Sequence, residues 1–130
     1  MPRLYGYLGT AADKVFRHLF ELTNKGYAKY ESPPYMPLSV ERIGTDTWAV
    51  SHTYVQNGDL MRDPEIVFKL VNETIVPIEY RQDNLGVVIY YDEIKDLVKR
   101  HECAMFCVTW AKNIKQQFPE LFRKPKKVKP

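Results

Sequence analysis

The spacing of hydrophobic and polar positions changes period twice along this chain. Val15, Phe16, Leu19, Phe20 and Thr23 recur at helical spacing and predict an amphipathic first helix. Thr10-Ala-Ala-Asp13 resembles a capping box with Asp in place of Glu and marks the helix start, and Gly26 marks its end. Ser32-Pro-Pro-Tyr-Met-Pro37 then forces an extended connection, because each proline removes a donor and restricts the residue before it. From Leu38 the period falls to two. Leu38 to Ile43, Trp48 to Val55, Ile66 to Leu70 and Thr74 to Tyr80 predict four strands, and Val87 to Tyr91 a short fifth or a lead-in to the next helix. Trp48, Val50, His52 and Tyr54 share one strand face, with Ala49, Ser51, Thr53 and Val55 on the other. Pro77 places its strand at an edge or on a bulge.

Beyond Asp92, which can cap a helix, the helical period returns. Ile94, Leu97, Val98, His101, Ala104, Met105 and Val108 form one stripe, and Cys103, Cys107, Trp110 and Ile114 another. A segment apolar on two sides predicts a long helix, to about Gln117, that is more buried than a surface helix. Short connections between the strands require antiparallel pairing. The expected fold is therefore α+β: an antiparallel sheet of four or five strands with an N-terminal helix and a long C-terminal helix on one face. Residues 1–122 form the expected domain and residues 123–130 a basic tail without packed structure.

Composition changes this picture little. The chain has 130 residues, 45% hydrophobic and 27% charged, enough for one core without staples. It has no apolar run long enough for a membrane span and no signal-peptide pattern, so a cytoplasmic location, in a bacterial host cell, and no membrane partner are expected. Cys103 and Cys107, the two cysteines, are expected as reduced core residues. Charge is more informative. Arg123, Lys124, Lys126, Lys127 and Lys129 carry the net +3, and without them 14 basic residues face 16 acidic ones. The basic character is a tail, a candidate for salt-sensitive phosphate contact, rather than a face.

The candidate chemistry lies in Tyr54 to Glu65, which packs an Asn-Gly turn, three acidic groups, an Arg and an Asp-Pro pair between two strands. A turn that only reverses the chain needs two to five residues, so this polar segment is expected to be held or used. Gln56, Asn57, Asp59, Arg62, Asp63 and Glu65 are the candidate binding residues. Arg81 and Asp83, from a second polar loop, are expected beside them if the flanking strands pair. His52, Asp59, Asp63 and Glu65 have the ligand types of a hard-cation site, but at a spacing that matches no ligand signature. The same groups can instead serve backbone geometry and ion pairs with Arg62 or Arg81. No nucleophile setting and no phosphate loop is legible, so neither a cofactor nor a catalytic residue is expected.

Several motifs have a family likeness. Pro34-Tyr-Met-Pro-Leu38, Val40-Glu41-Arg42, the block Gln56-Asn-Gly-Asp-Leu-Met-Arg-Asp-Pro-Glu65 with Phe68, and Pro77 with Tyr80-Arg-Gln-Asp83 and Gly86 resemble a family of small uncharacterised proteins of bacteria, plasmids, conjugative elements and phages. The resemblance spans roughly Pro34 to Gly86 and implies a mobile-element setting without an established activity. The expected function is that of a non-enzymatic binding protein of a phage or mobile genetic element acting on a host protein, for example as an inhibitor of a defence system such as CRISPR. Three alternatives stay open: a nucleic-acid-associated accessory protein using the tail, a metal-dependent phosphodiesterase or nuclease, and a protein that sequesters a nucleotide signal. The oligomeric state is not legible.

Overall fold

A computed structural model describes residues 7–23, 26–91 and 97–123. Helix α1 (Thr10–Leu22) buries Ala12, Val15, Phe16, Leu19 and Phe20 along one stripe, as its periodicity predicts. Its start differs from the expected capping box. Gly9 is the N-cap and offers no side-chain cap, while the Asp13 carboxylate reaches forward to Arg17 Nε at 2.9 Å. An i, i+4 ion pair has replaced the reciprocal cap. The helix ends at Thr23, whose hydroxyl donates to the Leu19 carbonyl at 2.8 Å.

Six antiparallel strands follow as a meander in chain order: β1 (Tyr27–Tyr30), β2 (Leu38–Gly44), β3 (Thr47–Gln56), β4 (Asp59–Val71), β5 (Thr74–Gln82) and β6 (Val87–Tyr90). The α+β class stands, with one strand more than the sequence pattern shows. Strand β1 exists through its pairing, Tyr27 opposite Glu41 and Tyr30 opposite Leu38. Its four residues carry no apolar alternation that marks a strand locally. Of the two expectations for Pro77 the bulge holds, whereas its strand lies between β4 and β6 rather than at an edge. Strand β6 pairs β5 only from Glu79 to Gln82, and Ile78 is an extra residue where the β4–β5 register shifts between Val67 and Phe68.

Helix α2 (Leu97–Gln117) lies with α1 on one face of the sheet. Its buried positions are Arg100, Cys103, Ala104, Cys107, Trp110, Ala111 and Ile114, a single i, i+3, i+4, i+7 stripe. The expected two-sided burial is corrected: Val98 and Met105 are exposed. A helix on one face of a sheet can bury only one stripe, and among the described residues no further layer covers the other. The cap expected at Asp92 and the stripe position Ile94 lie outside the described residues. Phe16 packs on Phe68 at 4.7 Å between ring centroids, and Phe20 stacks on Trp48 at 4.6 Å. Leu38, Val40, Val50, Ile66 and Ile75 complete the layer under the helices. The opposite face of the sheet has no helix on it among the described residues.

Candidate functional site

The polar segment expected as a loop is almost entirely strand. Asn57 (φ 51°) and Gly58 (φ 83°) alone turn the chain, and Gln56 already pairs with Asp59. Positive φ at both central positions is the geometry that suits an Asn-Gly hairpin between twisted strands. The acidic groups therefore project from β4 at fixed positions.

Their directions are set by a bulge. Ser51 pairs with Glu65 and Thr53 with Arg62, so Asp63 and Pro64 together oppose His52. Residues three apart on a regular strand face opposite ways, and the extra residue returns Arg62 and Glu65 to the same side. Both lie on the face away from the helices, Arg62 Nη1 at 3.7 Å from Glu65 Oε2. The second bulge, at Ile78, works likewise on β5. It turns Glu79 and Arg81 onto that face, Arg81 opposite Glu65 and Arg81 Nη2 at 3.2 Å from Glu79 Oε1.

Asp83 closes the network. It opens a 3₁₀ turn (Asp83–Leu85), and its Oδ2 accepts from the Arg62 backbone N–H at 2.9 Å and from Arg62 Nε at 2.8 Å. Burial pushes the Asp83 carboxyl up, but the hydrogen bonds and charge of Arg62 outweigh it, and the net displacement is downward. Glu65 goes the other way. Its burial raises its carboxyl above the usual value, and the nearby charges of Arg62 and Arg81 offset this only in part.

These side chains wall a groove of about 340 Å³ on the open face. Its floor is Ser39, Ala49, Ser51, Thr53 and Val67, and Ser51 and Thr53 are only 6% and 5% exposed although none of the described helices covers them. The long charged side chains shield the floor with their aliphatic stems. Tyr27, Ile43 and Leu60 stand at the rim, 60%, 50% and 63% exposed. Arg81 Nε is buried with no hydrogen-bond partner among the described residues.

Of the residues singled out from the sequence, Arg62, Glu65, Arg81 and Asp83 meet in this network. Gln56, Asn57 and Asp59 are exposed at the hairpin tip. Asp63 is turned toward the helix side, where its charge acts on His52 and Tyr80. The four candidate cation ligands accordingly do not converge, and no group of three or more His, Cys, Asp or Glu among the described residues is placed to hold a metal ion. His52 is buried under Trp110 and Phe118, and desolvation lowers its pKa against the backbones of Met36 and Pro37 and the charge of Asp63. Cys103 and Cys107 are both buried and free. Of the tail, Arg123 pairs with Glu120 at 3.2 Å, and Lys124, Lys126, Lys127 and Lys129 lie outside the described residues.

Sequence reasoning missed Glu79 and Glu41 as groove walls and the hydroxyl floor. The signal was present: Ala49, Ser51 and Thr53 make one face of their strand small and polar where a second core layer needs bulk.

A family model described as a domain of unknown function (DUF6908) matches residues 11–118. The chain belongs to that family. The DUF6908 match takes in the whole sheet and nearly all of both helices, so hairpin, bulges and charged network all fall within the domain. No curated protein and no solved structure matches the chain. Among the described residues no helix is long and apolar enough to cross a membrane.

Proposed function

We propose that this DUF6908 protein is a non-enzymatic binding protein of a phage or mobile genetic element, acting in the bacterial cytoplasm on a host protein that it holds with the open face of its sheet. Inhibition of a host defence system is one such action. The observation that carries the reading is the face itself: a small-residue floor, ion-paired walls and an exposed apolar rim at Tyr27, Ile43 and Leu60. Apolar side chains exposed together around one groove are area that a protein partner can bury. The mobile-element setting rests on the likeness of the Gln56–Glu65 block and its companion motifs.

Charge favours a protein over a nucleic acid here. Around the groove the guanidinium groups of Arg62 and Arg81 stand among the carboxylates of Glu41, Glu65, Glu79 and Asp83. Such a surface repels a polyanion and suits a partner presenting basic or neutral polar groups.

The test uses Leu60→Asp combined with Glu41→Lys, two exposed positions whose replacement leaves the core intact. Tagged wild-type protein is expected to retain a specific host protein from lysate and to co-elute with it from gel filtration, and the double variant to lose it. Equal retention by both proteins, or no stable host complex with the wild type, refutes the proposal.

A further inference from the structure

A second groove lies on the helix side, away from the charged network, and is independent of the reading above. It is a groove of about 650 Å³ between α1 and α2. That volume falls within the roughly 300–1,000 Å³ of small-molecule sites. Its floor is apolar, with Val15 from α1, Val108 and Ala111 from α2, and the Phe122 ring. Its edge is basic. Lys14 comes from α1 and Lys112 and Lys115 from α2, and among the described residues no Asp or Glu lines the groove. None of the three ammonium groups has a carboxylate partner among the described residues.

The arrangement follows from helical spacing. Ala11, Lys14, Val15 and His18 fall on one side of α1, and Val108, Ala111, Lys112 and Lys115 on one side of α2. Both sides border the helix–helix seam, so the lysines of two helices converge over an apolar trough. The first turn of α1, Thr10 to Ala12, also lines the groove, and Gly9 gives it no side-chain cap. A helix start adds positive potential to that of the lysines. Phe122 and His18 lie 5.3 Å apart between ring centroids, an aromatic pair beside the floor.

We propose that this groove binds an organic phosphate with a flat apolar part, in the manner of a nucleotide. The phosphates would sit among Lys14, Lys112 and Lys115 by the start of α1, and the flat ring against Val108 and Phe122. An apolar trough edged by three cations and no acid excludes cationic ligands and gives an uncharged one no compensation for desolvating the ammonium groups.

Calorimetry on the full chain with ADP, adenosine and inorganic pyrophosphate tests this at low salt. ADP is expected to bind, adenosine not to bind detectably, and pyrophosphate to bind more weakly than ADP. Lys112→Gln with Lys115→Gln is expected to weaken ADP binding by roughly tenfold or more, the weight of at least one charge-assisted hydrogen bond. Ala11→Glu, an exposed first-turn position where an acid favours the helix, is expected to keep the melting temperature and abolish ADP binding. A full-length variant with Lys124, Lys126, Lys127 and Lys129 replaced by Gln is expected to bind ADP as wild type does. Absence of ADP binding to the wild type overturns the proposal. So does binding that survives both groove variants, or binding lost only when the tail lysines are replaced.

Discussion

Two carboxylates flank Arg62, and the structure assigns them opposite energetic roles. Asp83 accepts the Arg62 backbone N–H at 2.9 Å, its Nε at 2.8 Å and, more weakly, its Nη2 at 3.4 Å. Asp83→Asn keeps the shape but removes the charge and sets an amide N–H₂ against a guanidinium donor. A hydrogen bond to a charged group contributes roughly 1.5–3 kcal/mol. Arg62 is about one-third exposed, so solvent screening reduces this. The expected loss is about 1–2 kcal/mol at pH 7, or a melting temperature lower by roughly 3–8 °C for a domain of this size. Glu65 is different. It lies 3.7 Å from Arg62, beyond hydrogen-bond range, and burial disfavours its charge. Glu65→Gln is therefore expected to be neutral or slightly stabilising at pH 7.

The pH dependence separates the two further. The folded state holds Asp83 below its ordinary 3.8, so its stabilisation is present above that value and lost as pH falls through the folded one. The gap between wild type and Asp83→Asn is expected to close below about pH 4. Glu65 is raised above its ordinary 4.5, so its ionisation costs stability as pH rises, and Glu65→Gln is expected to match or exceed wild type above that pH. Urea unfolding of the three proteins across this range is the assay. Should Glu65→Gln prove the more damaging substitution at neutral pH, the assignment of Asp83 as the anchoring carboxylate is wrong.

Two further expectations follow from local geometry. His52 is lowered from its ordinary 6.5 by burial, so below that value only the unfolded chain takes up its proton and stability falls; NMR titration of the ring is expected to give a midpoint below 6.5, and a midpoint at or above it contradicts this placement. Gly58→Ala puts a Cβ on a residue at φ 83° with nothing within 4 Å of it, so its cost is backbone strain alone, about 1 kcal/mol by thermal unfolding, and no loss of stability would show that the hairpin does not need this conformation.

Much of the fold was legible in the sequence because it is written in short-range periodicity. The stripe from Val15 to Phe20, the alternation from Trp48 to Tyr54 and the Asn57-Gly58 turn each follow from contacts within a few residues. The partners across strands followed from hairpin geometry, which is why Arg81 and Asp83 could be expected beside Arg62 and Glu65. What the sequence could not decide was which way each group points. An unbroken alternation from Arg62 to Glu65 sets the two on opposite faces, and one extra residue opposite His52 unites them while turning Asp63 away. A bulge is defined by the partner strand's register, and register is settled by burial of the whole helix-facing layer. Strand β1, the single buried stripe of α2 and the lysine-edged groove have the same origin. Each depends on which surface meets which after the chain has closed, and no local window contains that information.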